Sequence, residues 1–521
     1  MTASQLAIAP MLVALVTAVL TLTVYRSPTG QRVVSLLGGL GYVLAVGLLA
    51  KHVLTAGAVV YQLSAWPAPF GITLVADALS VFMLGLAAVV SFAALVFSLR
   101  YVDAFGQRLS YHPLFHFMLV GITGAFLTGD IFNLFVWFEV MLMASYVLVV
   151  FYSGPVHTRA ALQYVVLNLV GSAVMLLAIG GIYATTGTLN MADLARRLAD
   201  PATSGAAVEP VLGLSALLFA VFALKAGLVP FHFWVPDTYR AAPAPVAAVL
   251  AGVVKKVGVY AIIRLYFTVF AAAELGVSFP GIGGDSFLAF YGPIIFLMGA
   301  ASIVLGGVAA VDRPDLDGLL AYSSISQVGF IMVPLAIGAT VPPVRTLAVT
   351  AALVYALNHA IAKGTLFLAS GAVAAATGSN EFADLGGLLE RSLPLSGAFF
   401  LGALALIGIP PLSGFFGKLL VFDTAGRGGS TLGLAAVLGG AILTIAYFSR
   451  AWNRTFWGPQ TEAVAESVTD RGLVSVVVAL ALTLVVIGIG FDPVFRLAER
   501  AALAALDRSA YIELVLGGVG G

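Results

Sequence analysis

The stretch Phe222-Ala-Leu-Lys225-Ala-Gly-Leu-Val-Pro230-Phe-His232-Phe-Trp-Val-Pro236-Asp237 closes an apolar run with one lysine and two prolines. Upstream of it, 210–231 is about as long as the roughly 20 apolar residues a helix needs to cross a bilayer. Pro230 has no N–H to offer the carbonyl of Ala226, so the helix kinks there and a freed carbonyl lies in the turn beside Lys225. Irregular backbone survives at membrane depth only where protein buries it or water fills the gap. A lysine next to such a break points to a hydrated ion path, or else serves only to cap the freed carbonyls.

Working outward, the composition agrees with a membrane setting. Of 521 residues, 61% are hydrophobic and 9% charged, against about 25% charged in soluble domains. The formal net charge of +1 gives no basic face for a nucleic acid. With no cysteine, the chain supplies no disulfide, thiolate metal site or iron–sulfur cluster. About fourteen runs are long and apolar enough to span: 5–25, 33–50, 74–99, 113–129, 131–153, 161–186, 210–231, 243–268, 290–311, 317–337, 346–376, 397–424, 431–452 and 473–491. The fourth and fifth are separated only by Gly129-Asp130, which demands a very tight joint. The first run has no basic residue before it and reads as a retained helix rather than a signal peptide.

Loops on the Arg26 side hold about eleven basic residues and the opposite side about eight, so the positive-inside rule places both termini outside the cytoplasm. From Phe491 onward, Leu497, Ala501, Ala504 and Ala505 alternate with Arg496, Glu499, Arg500 and Asp507. That spacing fits an amphipathic helix at the interface, and a frayed tail equally. The expected fold is therefore an all-α polytopic membrane protein, a single membrane domain over 1–521.

The informative residues are the ionisable ones where lipid should be, since each costs about 2.5–3.5 kcal/mol at the centre of a spanning helix. Glu139, Lys225, Lys255, Lys256, Lys363 and Lys418 fall well inside the expected helices, with His359 among them. Every lysine but Lys51 is in that set, while the surface cations read as arginine. A buried lysine can give up its proton near neutral pH and an arginine cannot, so the partition has chemical meaning. Glu139 reads either as a structural salt-bridge partner or as a carboxylate coupled to a buried lysine.

Lys418 repeats the Lys225 pattern in Gly408-Ile-Pro-Pro-Leu-Ser-Gly-Phe-Phe-Gly-Lys418. Broken helices at the seventh and twelfth positions suggest two inverted five-helix repeats, 112–268 and 290–453, preceded by helices 1–3 in 1–111 and followed by helix 14 and the amphipathic tail in 473–521. Consecutive Lys255 and Lys256 lie about 100° apart on an α-helix, so they cannot both face one channel. Lys256 shares a face with Gly252 and Tyr260 and is the better proton carrier, leaving Lys255 as a packing or partner-facing residue. Tyr355, His359 and Lys363 form a polar stripe at i, i+4 and i+8. Ser323, Ser324 and Gln327, with His232, are supporting polar groups able to order water. One carboxylate, several lysines and a histidine compose a lateral proton relay, and lack the cluster of oxygen ligands that would hold Na⁺.

These residues resemble the antiporter-like subunits shared by respiratory complex I and the Mrp-type sodium/proton antiporters. The likeness rests on Asn133-Leu-Phe-Val-Trp-Phe-Glu139-Val, Leu224 to Asp237, Lys256-Val-Gly-Val-Tyr-Ala, Leu320-Ala-Tyr-Ser-Ser-Ile-Ser-Gln327 and Gly408 to Lys418, and covers nearly the whole chain. Length and the tail Ser509-Ala-Tyr-Ile-Glu-Leu-Val-Leu516 make it most similar to the D-type subunits of the Mrp group, and A-type subunits are far longer. The resemblance implies a proton path through Glu139, Lys225, Lys256, His359 with Lys363, and Lys418. It also implies no cofactor, H⁺ and Na⁺ as transported ions, and A, B, C, E, F and G-type subunits as partners in a bacterial plasma membrane. Complex I subunits of this pattern usually carry Glu where this chain has Lys418, and often His where it has Gln327. The alternative is thus a proton-pumping subunit of a complex I-like oxidoreductase, and a third reading is a scaffold whose charges are only structural.

Overall fold

The computed structural model describes residues 3–108, 110–275 and 286–517. Its spanning helices are α1 (Ala3–Thr23), α2 (Pro28–Ala56), α3 (Ala78–Tyr101), α4 (Tyr111–Leu127), α5 (Ile131–Val149) and α6 (Pro155–Thr186). A broken seventh helix follows, α7a (Val208–Ala226) and α7b (Trp234–Ala241), and then α8 (Ala244–Ala272) and α9 (Phe287–Val311). Next come α10 (Leu316–Thr340), α11 (Arg345–Thr377), a second broken helix α12a (Leu393–Ile407) and α12b (Ser413–Arg427), α13 (Thr431–Thr455) and α14 (Arg471–Ile489). Among the described residues, twelve helices are long and apolar enough to cross a membrane, and α4 and α12a are shorter apolar helices. The chain is an all-α polytopic membrane protein.

Acids and serines set the helix starts. Asp77, Asp130, Asp315 and Asp470 each accept a backbone N–H from the first turn of α3, α5, α10 and α14, as Ser286 and Ser430 do for α9 and α13. A carboxylate there satisfies an orphan donor and complements the positive end of the helix dipole. The expected span 74–99 therefore begins later than the apolar run: Thr73–Ala76 is a strand, β2, paired antiparallel with β1 (Val59–Gln62), and Asp77 opens the helix. The tight joint at Thr128-Gly129-Asp130 is present, clamped to β2 by Gly129 N–H donating to Thr73 O at 2.9 Å.

Burial inverts hydropathy. The least apolar spans, α10 and α11 at mean hydropathy 1.6 and 1.4, have 94% and 78% of their windows buried, whereas α14, at 2.8, has 39%. The two most polar spans are sheltered inside, and the most apolar one, α14, is largely exposed. α8 is wholly enclosed. It is also irregular: Leu250–Val254 and Ile262–Val269 are π-helical on either side of Lys255–Ala261.

Both breaks are built on a left-handed glycine. α7a ends at Gly227 (φ 70°) and α12a at Gly408 (φ 93°), a conformation that only glycine adopts without strain. The freed carbonyls at the first break are taken by the Gly227 and Leu228 N–H groups and by Trp234 Nε1, which donates to Leu224 O at 2.8 Å. Asn358 of α11 ties the second break together, donating to Ala405 O at 3.3 Å and accepting from Ser413 Oγ at 2.9 Å. Gly414 is a close approach: a Cβ there would lie 1.6 Å from Ala405 O. We expect Gly414→Ala to destabilise the fold by about 1–3 kcal/mol, read as a lower melting temperature of the purified complex. Unchanged melting would contradict this packing.

The tail is helical, so the frayed reading is set aside. α15 (Phe491–Leu506) buries Ala498, Ala501, Ala502 and Ala505 across α3 and α11, and α16 (Arg508–Leu516) follows.

Candidate functional site

The titratable side chains converge on α8, α10 and α11, the three most buried helices. Lys225 ends α7a with its Nζ donating to Tyr164 Oη at 3.1 Å, and Tyr164 Oη also meets Ser145 Oγ at 3.0 Å. The ammonium lies 5.4 Å from the Tyr164 ring and 5.6 Å from that of Trp234, whose planes stack on each other. Lys225 thus occupies an aromatic box, and its Nζ bonds Tyr164 rather than a carbonyl of the break. Glu139 is half-buried and accepts from Ser172 Oγ of α6. Among the described residues it forms no ion pair, which removes the structural salt-bridge reading within this chain.

Lys255 and Lys256 address different neighbours of α8, α10 and α11, and both side chains are interior. Lys255 Nζ donates to Ser324 O at 3.4 Å, and a Cβ at Gly227 would stand 3.0 Å from it, so this ammonium lies in the first break. The partner-facing reading of Lys255 is corrected: the side chain is fully buried, because α8 has no outer face within this chain. Lys256 Nζ donates to Ala251 O at 2.8 Å, a carbonyl in the first π-helical turn, and contacts His359 Nδ1 of α11. Lys363 Nζ donates to Leu320 O at 2.9 Å and to Ser323 Oγ. Lys255, Lys256, Lys363 and His359 all lie within electrostatic range of one another.

Beyond them, Tyr355 Oη donates to Gln327 Oε1, and Gln327 Nε2 donates to Thr444 Oγ1 at 3.0 Å and Tyr447 Oη at 2.6 Å. The row ends at Lys418. Its Nζ is buried without a hydrogen-bond partner, 4.8 Å from the Phe330 ring, and that ring stacks on Tyr355. The stripe Tyr355, His359 and Lys363 is buried as expected, yet its members address α10, α8 and α10 in turn. Ser324 contributes its carbonyl, and its hydroxyl finds no protein partner. An unpaired buried hydroxyl is a place for an ordered water.

Two expected supporting groups lie elsewhere. His232 sits in the first break, half-buried against Phe233, with Nδ1 unpartnered. Tyr260 accepts from Arg264 Nε at 3.3 Å, and Arg264 pairs with Asp77 at 2.6 and 2.8 Å under the ring of Tyr511. Tyr260 therefore belongs to a separate buried ion pair, and the interior is not reserved for lysine. Arg264 lies inside the expected span 243–268, so its depth was available from sequence. Its partner, at the mouth of α3, was not. Removing Asp77 leaves a buried guanidinium unpaired, and we expect Asp77→Ala to cost about 3–5 kcal/mol of stability, measured by thermal melting. A variant as stable as the parent would contradict the pair's burial. Among the described residues no group of three acidic or histidine side chains is placed to hold a metal ion.

The family described as NADH:quinone oxidoreductase/Mrp antiporter, TM matches residues 128–444, which include both breaks and every member of the row. The chain is 36% identical to the D-type subunit of the Na(+)/H(+) antiporter of Alkalihalophilus pseudofirmus over 98% of its own length and 99% of the relative's. It is also 36% identical to the N-type subunit of the NADH-quinone oxidoreductase of Desulforudis audaxviator, covering 86% of this chain and 89% of that one. Among solved structures, it is similar to a chain of the Mrp complex from Dietzia sp. DQ12-45-1b, with a TM-score of 0.87, 27% identity, and coverage of 99% of this chain and 100% of that one. The chain belongs to the membrane-subunit family shared by NADH:quinone oxidoreductases and Mrp antiporters.

Proposed function

We propose that the chain is the proton-translocating subunit of a multisubunit Na⁺/H⁺ antiporter, a transporter component rather than an enzyme. The observation that carries this reading is the row itself: Glu139, Lys225, Lys255, Lys256, His359, Lys363 and Lys418 on α5, α7a, α8, α11 and α12b, with no lysine in a salt bridge among the described residues. A lysine bonded only to hydroxyls, carbonyls, rings or an imidazole is free to change charge, because no carboxylate pins its proton. Neighbouring sites couple: two charges about 8 Å apart interact by roughly 2 kcal/mol at an effective dielectric near 20. That exceeds one pKa unit, about 1.4 kcal/mol. Loading one site therefore empties the next. Protons advance along the row while the cation is exchanged elsewhere in the complex.

The breaks at Gly227 and Gly408 support reading 112–268 and 290–453 as two inverted repeats, each with a lysine beside its break and its own proton path. By the same reading the complex lies in a bacterial plasma membrane, with both termini of this chain outside the cytoplasm and Mrp-type A, B, C, E, F and G subunits as partners. The likeness to the quinone oxidoreductase subunit favours the second reading, a proton pump driven by redox partners. Purification in mild detergent separates the two. Small membrane subunits, with sodium-dependent pH changes in vesicles, support antiport. Iron–sulfur and quinone-site subunits would overturn it.

A further inference from the structure

The N-terminal half of α2 is inside-out. Its exposed face carries Val33 and Leu37, whereas its buried stripe opens with Gln31, Ser35, Gly39 and Tyr42 before turning apolar at Val46, Leu49 and Val53. Ser35 and Tyr42 meet α4, where His112, His116 and Thr123 are fully buried, while Gly39 packs on α3 and Gln31 bonds α1. His116 Nε2 lies 2.8 Å from Ser35 Oγ, and Tyr42 Oη lies 2.9 Å from Thr123 Oγ1. Both nitrogens of His112, Nδ1 of His116 and Oε1 of Gln31 have no protein partner. Four unsatisfied polar atoms on adjoining turns of two facing helices are costly when dry, and buried polar groups of this kind are ordinarily satisfied by water.

We propose that α2 and α4 hold a hydrated, proton-binding site of their own, built on the unpartnered nitrogens of His112 and His116 and lying one helical turn from the Arg32–Gln107 contact. Arg32, half-buried, donates its Nε to Oε1 of the fully buried Gln107 at 2.9 Å, beside the N-terminal end of α4. The two histidines are one turn apart, about 6 Å along the axis, and Tyr42–Thr123 lies roughly 10 Å deeper. The groups placed at the imidazoles are Arg32 and Ser35 from α2 and Tyr111 from α4 itself, while Gln31 Nε2 donates across to Thr21 O of α1 at 3.3 Å and Gln107 bonds Arg32. α1 offers Thr17 and Thr21, both turned to carbonyls of their own helix. Among the described residues no carboxylate pairs with either ring. Neutral imidazoles in contact with water accept a proton on one nitrogen and release one from the other, which is relay chemistry. This site is apart from the lysine row.

The chain's lack of cysteine allows a direct test in the assembled complex. Ser35→Cys and His116→Cys are exposed to silver ion in membrane vesicles, washed, denatured and alkylated with a maleimide; Leu119→Cys, buried on the same helix, is the dry control. We expect silver to protect positions 35 and 116 from alkylation and to leave position 119 fully alkylated. Equal alkylation at all three positions overturns the site. Ser35→Cys is nearly isosteric, so it reports even where His116→Cys fails to assemble. The labelling holds or fails whether or not the complex exchanges sodium, so its outcome is separate from that of the proposed function. For the proton-binding claim, His112→Gln with His116→Gln keeps hydrogen-bonding groups but removes both imidazoles. The pH–rate profile of transport is expected to shift with assembly intact, and an unchanged profile overturns it.

Discussion

Lys225→Ala is expected to abolish sodium-dependent proton movement in vesicles while leaving the complex assembled. Positioned acid–base groups contribute about 10²–10⁴-fold to a proton-transfer step, so the residual rate falls to background. The substitution breaks no salt bridge: the hydrogen-bond partner of Lys225 is the Tyr164 hydroxyl, which keeps its contact with Ser145, and Glu139, which feels the ammonium at longer range, keeps its bond from Ser172. Loss of transport would therefore not be a by-product of misfolding, and subunit recovery after purification checks this. Glu139→Ala acts at the outer end of the same row and removes the acceptor of Ser172. Normal antiport in both assembled variants would leave the charges with a structural role only.

Lys255→Ala is expected to reduce transport as severely as Lys256→Ala, by about 100-fold or more on the same acid–base scale. A helical wheel separates the two residues and assigns only one of them to a channel. In the folded chain Lys255 lies in the break of the seventh helix, within electrostatic range of Lys256, His359 and Lys363. By the proposed function it is a member of the row, and its loss interrupts the row rather than loosening a surface. The two alanine variants, measured side by side for initial rate, settle the matter: a mild Lys255 phenotype beside a severe Lys256 phenotype would restore the wheel's assignment.

That contrast shows where sequence reasoning reaches and where it stops. The lysines, Glu139 and the breaks were legible because a charge in an apolar run and a proline in a helix violate the local pattern, and each violation has few physical explanations. The orientation of Lys255 was not legible, since it depends on α8 being enclosed on every side and on π-helical turns flanking Lys255–Ala261. Neither leaves a periodic signal. Tyr260 was misassigned for the same reason. The hairpin before α3 was hidden inside an apolar run, although Asp77 with Ser80 three residues later is an N-cap pattern. His112 falls one residue outside the expected span 113–129, and His116, inside it, has no charge partner in the sequence to mark it. The polar stripe of α2, Gln31, Ser35, Gly39 and Tyr42, carries no charge to draw attention. Uncharged polar residues become informative only once the facing helix is known.

The central claim is that lysines of this chain release and take up protons during transport. Lys225→Arg tests it most directly, because arginine keeps the positive charge and cannot give up its proton. Sodium-dependent proton movement is measured in vesicles containing the assembled complex with this one substitution. The account requires transport to be lost as completely as in Lys225→Ala, with subunit composition unchanged. Transport at the parental rate would show that a fixed charge suffices at this position, and would contradict it.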